Sequence, residues 1–237
     1  MKPIYEPKGR AQEYCELAVN IYSGCPHGCS YCYVPGVMRR KPKDFHASAE
    51  PRLGIVEAVR KQLQSAGWRG RTIMLCFTCD PYPVGCDSTA TREVIKAIKE
   101  SGNHVQILTK GDETAQRDFD LLDSNDWFGV TISGAGLADE PNTGSPNDKL
   151  CNLKEAKNRG IKTWVSCEPV LNSEYVLLTI RALDFVDLWK IGKLNHRPSS
   201  IDWPAFGRQV EDLCQRFGRN YYIKEDLRRE MATGVKE

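Results

Sequence analysis

The sequence predicts an α/β fold, an open or partial α/β barrel of parallel strands. Short, mostly uninterrupted apolar runs alternate with stretches in which apolar residues recur three and four positions apart, as in βαβ units whose strands are buried on both faces. Polar and cysteine residues collect at the C-terminal ends of those runs, where the sites of such barrels gather. A length of 237 residues with 41% hydrophobic content suits a single domain. The expected division is one domain over 1–237, with a core over about 17–193 and a helical extension over about 194–237.

In chain order, the first expected strand is LAVNIY (17–22), which runs into a loop rich in Gly and Pro. PRLGIVEAVRKQLQSAG (51–67) has helical spacing and leads to the second strand, TIMLCFT (72–78). STATREVIKAIKESG (88–102) follows as a helix, with Ser88 or Thr89 as its cap and Gly102 as its stop. HVQILTK (104–110) is the third strand and DETAQRDFDLLDS (112–124) the next helix. WFGVTIS (127–133) and KTWVSCE (162–168) enclose the helical NDKLCNLKEAKNRG (147–160), which ends at Gly160. SEYVLLTIRAL (173–183) precedes the sixth strand, VDLWKI (186–191). Beyond about 195 the chain reads as a loop, a helix over 203–217, a short apolar NYYI and a charged terminal helix. No repeat or low-complexity tract interrupts this order.

The N-terminal residues carry no apolar core flanked by a small-residue cleavage site, and nowhere do 18 apolar residues run together. The expectation is a cytoplasmic protein with no membrane partner. Ten cysteines in a reducing compartment do not form a disulfide framework. Clustered cysteines then point to metal or catalysis, and scattered ones such as Cys15, Cys151 and Cys214 to core packing. A net charge of +2 neither demands nor excludes a polyanionic partner.

The densest cluster is GCPHGCSYCYVPG (24–36), with Cys25, Cys29 and Cys32 spaced by four and three residues. A structural zinc site takes four N/S ligands, usually from two cysteine knuckles, and no second knuckle follows, although His27 lies between the first two cysteines. A four-iron, four-sulfur (4Fe-4S) cluster can take three thiolates and leave one iron open, and the glycines let a loop wrap an object of that size. Zinc and unrelated buried thiols remain the plainer readings.

At these residues the sequence resembles the radical S-adenosylmethionine (SAM) superfamily. The resemblance rests on the cysteine spacing, on Tyr31 and Tyr33 beside the last cysteine, and on the loop's place after a first strand. YSGCPHGCSYCY, followed by FTCDPYPVGCDSTATREVIKAIKESGNHVQILTKG, looks like the branch of spore photoproduct lyase and the DNA repair photolyases, over residues 17 to about 193. It implies a partial (β/α)6 TIM-like barrel of the radical SAM type. It also implies a 4Fe-4S cluster on Cys25, Cys29 and Cys32, SAM as cofactor or co-substrate, and a reducing partner such as flavodoxin or ferredoxin. Carried over by position, Tyr31 and Tyr33 contact the adenine and sulfonium region. Thr78, Cys79 and Asp80 face the methionine amino group, Lys110 pairs with the SAM carboxylate, and Ser133 binds the ribose or carboxylate. Many members carry Gly-Gly-Glu after the second strand where this chain has CFTCDP, so the amino-group contact rests on Asp80 and its neighbours. Asp80 has a plainer role as an Asp-Pro turn initiator, and Lys110 as a solvated strand end.

The resemblance further implies a cysteine near the second strand's turn that returns a hydrogen atom, a position held by Cys76 or Cys79, so Cys76, Cys79 and Tyr33 are the candidate catalytic residues. An auxiliary cluster on Cys76, Cys79 and Cys86 requires the strand to end first, because residues i and i+3 of a strand face opposite ways. Glu168, at the end of the fifth strand, is either a SAM or substrate contact or a partner of Lys190 or Lys193. For substrate, the run MRRKPK (38–43) and Arg208, Arg216, Arg219, Lys224, Arg228 and Arg229 offer phosphate contacts, and Tyr82, Trp203 or Tyr221 could stack on a base. The functions compatible with these features are a radical SAM enzyme acting on a nucleic-acid pyrimidine, a radical SAM isomerase or modifier of a small molecule, peptide or hypermodified base, and a non-catalytic iron-sulfur nucleic-acid-binding protein.

Overall fold

A computed structural model describes residues 2–233. The elements run β1 (Ile4–Tyr5), β2 (Leu17–Val19), β3 (Tyr22–Ser23), α1 (Val34–Val37), α2 (Pro42–Phe45), β4 (Glu50–Pro51), α3 (Ile55–Ala66) and β5 (Thr72–Leu75). They continue α4 (Thr89–Glu100), β6 (His104–Thr109), a 3-10 helix (Glu113–Leu121), β7 (Trp127–Thr131), α5 (Pro146–Asn158) and β8 (Lys162–Cys167). The last are α6 (Ser173–Ala182), β9 (Leu188–Ile191), α7 (Trp203–Arg216), β10 (Tyr221–Ile223) and α8 (Glu225–Thr233). The eight-stranded main sheet has the order β1-β2-β5-β6-β7-β8-β9-β10, antiparallel only at β1–β2. It is an open, mostly parallel α/β sheet, the partial barrel the sequence predicts.

All six predicted strands are present, and their burial explains their composition. Ile73, Leu75, Val105, Ile107, Phe128, Val130 and Val165 are buried on one face, and Ala18, Met74 and Trp164 on the other, so the sheet is covered on both sides. The helices cover one face with regular stripes. Ile55, Val59 and Leu63 of α3 are buried at intervals of four residues, each contributing ~1.5–3 kcal/mol by leaving water. Across β7 and β8 the indole of Trp164 donates to the Ile107 carbonyl at 2.9 Å and lies over Gly129, where a Cβ would sit 2.3 Å from its ring nitrogen. Only glycine fits beneath that indole.

Several boundaries differ from the sequence reading for local reasons. The first strand stops at Val19, because the Asn20 side chain accepts the N–H groups of Phe77 and Thr78; Tyr22 pairs with Pro51 instead. The second stops at Leu75, because Cys76 adopts a left-handed φ of 66°. At the start of α4 neither Ser88 nor Thr89 caps through its side chain; Asp87 accepts the Thr89 N–H at 2.8 Å. The residues over 113–121 form a 3-10 helix rather than an α-helix. NYYI supplies β10, which pairs in parallel with β9, so the C-terminal segment extends the sheet as well as adding helices. Cys214 is buried as expected, whereas Cys151 is exposed on α5 and Cys15 only partly covered. Among the described residues no helix is long and apolar enough to cross a membrane.

Candidate active site

The C-terminal ends of the strands surround a cavity of about 450 Å³. Its wall contains Cys25, Cys29, Cys32, Tyr31, Tyr33, Cys76, Thr78, Cys79, Asp80, Lys110 and Glu168, brought together from the loop after β3 and from the ends of β5, β6 and β8. Of the residues expected to hold the cluster, contact SAM or act in catalysis, Ser133 alone is absent from it; among the other sequence candidates, Cys86, Tyr82, Trp203 and Tyr221 are absent too.

The cysteine loop is held in a fixed path. Gly24, at φ 95°, passes so close to the chain after α2 that a Cβ there would meet the Ser48 carbonyl oxygen at 2.3 Å. Cys25 N–H donates to the Phe45 carbonyl at 3.1 Å and Cys32 N–H to the Cys29 carbonyl at 3.0 Å. His27 is buried inside the loop. Its Nε2 accepts the Val84 N–H at 3.2 Å, and its Nδ1 stands 3.6 Å from the Asp80 carboxylate. Burial depresses the imidazole pKa against the opposing pull of Asp80, which suits a neutral ring with its proton on Nδ1. With Nε2 committed to Val84, His27 is a brace rather than a ligand.

Cys25, Cys29 and Cys32 are free thiols on one wall of the cavity. A structural zinc ion takes four N/S ligands, and the nearby His27 is already engaged by Val84. A four-iron cluster accepts three thiolates and leaves one iron open, so the donor set fits that group. Burial pushes all three thiols above their ordinary pKa, so protons must leave as metal binds.

Lys110 stands out by what it lacks. Its backbone is fixed, N–H to Asp80 at 2.8 Å and carbonyl to the Gly144 N–H at 2.8 Å. Its ammonium has no hydrogen-bond acceptor among the described residues and lies 5.5 Å from the centre of the Tyr31 ring. Burial disfavours its charge, but Tyr31, Cys29, Glu140 and Asp80 more than offset this and hold its pKa well above the ordinary lysine value. A charged donor is thus presented to the cavity without a protein partner.

Asp80 is the reverse case. One carboxylate oxygen accepts from the Tyr82 N–H at 2.8 Å and the Thr109 hydroxyl at 2.6 Å, and the other from the Lys110 N–H. It staples the turn after β5 to the end of β6, and the expected contact with an amino group gives way to that role. Ser133 is turned away from the cavity: its hydroxyl is buried, donating to Glu140 at 3.0 Å, and it does not line the cavity. Glu168 pairs with Lys224, not with Lys190 or Lys193, and also accepts from the Tyr14 hydroxyl at 2.7 Å. Lys190 donates to the carbonyls of Glu13 and Tyr14, and Lys193 pairs with Glu230. Tyr33 is half exposed, its hydroxyl reaching the Phe77 carbonyl at 3.2 Å. Because the strand ends at Leu75, Cys76 and Cys79 both reach the cavity wall, and burial with the neighbouring Cys79 raises the Cys76 pKa. Tyr82 and Trp203 are buried and cannot stack on a base.

Sequence reasoning missed Glu140 and Lys149, which form a buried ion pair at 2.8 Å behind Tyr31, and Tyr14, which reaches the cavity from the N-terminal segment. None lies at a strand end or in a motif; only Glu140, an acid in a loop between strand and helix, had a weak positional signal.

The fold has solved counterparts: the mostly parallel partial barrel is shared with spore photoproduct lyase. A cysteine-to-alanine mutant of that enzyme superposes with a TM-score of 0.69 at 14% identity, covering 92% of this chain and 79% of the other. A double mutant with bound AdoMet and dinucleoside spore photoproduct gives 0.61 at 16%, covering 89% and 64%. SuiB of Streptococcus suis gives 0.62 at 12%, covering 87% and 49%. The chain itself belongs to the family described as "Protein of unknown function (DUF5131)", matched over residues 10–230. Among curated proteins it is similar to the uncharacterized protein Rv2578c of Mycobacterium tuberculosis, 26% identical over 173 residues covering 65% of this chain and 49% of that one. The uncharacterized protein ORF301 of Acidianus two-tailed virus is 28% identical over 171 residues, covering 65% and 55%. The chain thus spans about half the length of these relatives.

Proposed function

We propose that this chain is a radical SAM enzyme that holds a 4Fe-4S cluster on Cys25, Cys29 and Cys32 and abstracts hydrogen from a pyrimidine of a nucleic acid. The observation that carries the reading is the convergence on one cavity wall of three free cysteines and a lysine ammonium without a protein acceptor among the described residues. When bound, the cluster supplies the electron that cleaves SAM and so generates the 5′-deoxyadenosyl radical.

The protein's own residues bind and orient. Lys110 takes the SAM carboxylate in a charge-assisted contact, and Tyr31 and Tyr33 form the wall against the adenine and sulfonium. With Asp80 committed to the turn, the amino group falls to Thr78 and the backbone beside it. A thiol of Cys79 or Cys76 would return a hydrogen atom to the substrate carbon radical, breaking an S–H bond and forming a C–H bond, and the thiyl radical left behind would regain its thiol with one electron from the external reductant and a proton. Lys8 on the cavity wall and the exposed Arg39, Lys41 and Lys43 after the cysteine loop favour a phosphate-bearing substrate. A flavodoxin or ferredoxin would supply the reducing electron.

The burial of Tyr82 and Trp203 leaves fewer stacking aromatics than a base-flipping enzyme uses, and favours a second reading as a modifier of a small molecule or peptide. Anaerobic reconstitution with iron and sulfide, reduction, and assay of 5′-deoxyadenosine with and without UV-irradiated or undamaged DNA tests both. Cleavage stimulated by DNA supports the first reading and DNA-indifferent cleavage the second. A full cluster with no cleavage overturns both in favour of a binding protein.

A further inference from the structure

Glu140 lies in the loop between β7 and α5, and it is 6% exposed. One carboxylate oxygen accepts from the Tyr31 hydroxyl and from the Ser133 hydroxyl; the other accepts from the Lys149 ammonium at 2.8 Å. Lys149, on α5, has a side chain 8% exposed and makes no other side-chain bond among the described residues. A buried ion pair of this kind adds little stability over a well-packed apolar pair, because both charges lose their water. Its presence here calls for another explanation, and its contacts supply one.

The loop is fixed at both ends of the cavity wall. Ser30 N–H donates to the Asp139 carbonyl at 2.9 Å, the Asn142 side chain donates to the Pro26 carbonyl at 2.9 Å, and Gly144 N–H donates to the Lys110 carbonyl at 2.8 Å. Glu140 is thereby set between the cysteine loop and the end of β6. Tyr31 is the residue before Cys32, and its ring is the surface beside which the unpaired Lys110 ammonium rests.

We propose that Glu140 is a positioning residue of the SAM-binding wall: locked by Lys149 and Ser133, its carboxylate fixes the phenol of Tyr31, and the Tyr31 ring in turn sets where the Lys110 ammonium stands. This inference rests on the radical SAM reading above. Glu140 touches neither ligand nor cluster, and it acts through Tyr31. Its charge also offsets Lys110 and Lys149, which otherwise crowd one wall with two ammonium groups.

The test is the equilibrium affinity of reconstituted, unreduced protein for S-adenosylhomocysteine, which involves no turnover. The variants are E140Q/K149M, which removes the pair without stranding a charge, Y31F, and the triple combination. E140D is a fourth variant that keeps the ion pair and draws the carboxylate back from Tyr31. With iron content and melting temperature at wild-type values, E140Q/K149M and Y31F are each expected to weaken binding about tenfold, and the triple no further, because residues acting as one unit are not additive. E140D, the variant least prone to misfolding, should also weaken binding. Wild-type affinity in E140Q/K149M or in E140D, or losses that multiply in the triple, overturns the inference while leaving the function standing. A wild-type protein that binds no S-adenosylhomocysteine overturns both.

Discussion

Replacing Lys110 with Met removes the ammonium and keeps most of the volume. The Lys110 N–H still donates to Asp80 and its carbonyl still accepts from Gly144, so the end of β6 should not move. No acceptor among the described residues loses a hydrogen bond, because the ammonium makes none, so the hydrogen bond that is lost should be the ligand's. A hydrogen bond to a charged group contributes about 1.5–3 kcal/mol, more than its neutral counterpart. With 1.4 kcal/mol to each factor of ten, SAM affinity of the reconstituted, oxidised protein should fall about 10- to 150-fold. Lys110 also eases the ionisation of Cys29, so reconstitution should be run on the alkaline side, where wild type and variant ought to load equal iron per chain. The assay is titration with SAM by calorimetry or equilibrium dialysis alongside iron and sulfide analysis. Affinity within twofold of wild type at equal iron would refute the assignment of Lys110 to the carboxylate. Loss of iron would instead place Lys110 with the cluster.

Cys29→Ala should abolish both the brown absorption of the reconstituted protein and SAM cleavage; normal cleavage in that variant would remove the central claim. Gly24→Ala forces a side chain to a φ of 95° and 2.3 Å from the Ser48 carbonyl oxygen, so it should lower the melting temperature and lose most of the iron. Iron retention equal to wild type would show that the loop path is not needed. Burial depresses Lys190 from 10.5 to about 8, so at pH 7 the folded protein carries a costly ammonium that the unfolded chain carries freely. Stability from this group therefore rises between pH 8 and 10.5, where the unfolded state binds the extra proton. Denaturant titrations of Lys190→Met should lack that rise, by up to one proton in slope, and parallel pH curves for variant and wild type would contradict it.

How legible the molecule was depends on the range of the interaction that decides each feature. The strands of four to six residues announced themselves because burial on both faces forces apolar runs such as HVQILT and KTWVSC, and the three-residue β2 was legible through the apolar run LAVNIY that continues past it. Ile4–Tyr5 and Tyr221–Ile223 are two and three residues long, and such lengths carry no period to read. The end of the second strand was misplaced because Cys76 takes a conformation more usual for glycine, which no propensity signals. The cysteine loop and Lys110 were visible from spacing and from a position at a strand end. Which groups are free to bind was not. Asp80 looked like a ligand contact, but its oxygens are claimed by partners 2, 29 and 30 residues away. Glu140 meets Tyr31 across 109 positions, with no motif at either end to suggest the pairing.

That distinction between committed and free groups organises the cavity. Asp80, Glu140, Ser133 and His27 are polar, buried and satisfied within the protein, and together they tie the cysteine loop, the turn after β5 and the ends of β6 and β7 into one frame. A satisfied buried group resists motion, because breaking its contact exposes an unpaired donor or acceptor at about 1–3 kcal/mol. Lys110, Tyr33 and the three cysteines are held by that frame and have bonding capacity left over. Cys76 belongs with them. A left-handed φ costs a residue with a side chain about 1–2 kcal/mol relative to the ordinary helical well, and glycine would relieve it. Cysteine there keeps the backbone cost and adds a thiol on the cavity wall beside Cys79. The backbone strain and the cavity-facing thiol thus fall on the same residue, at the point where the chain leaves β5 for the cavity wall.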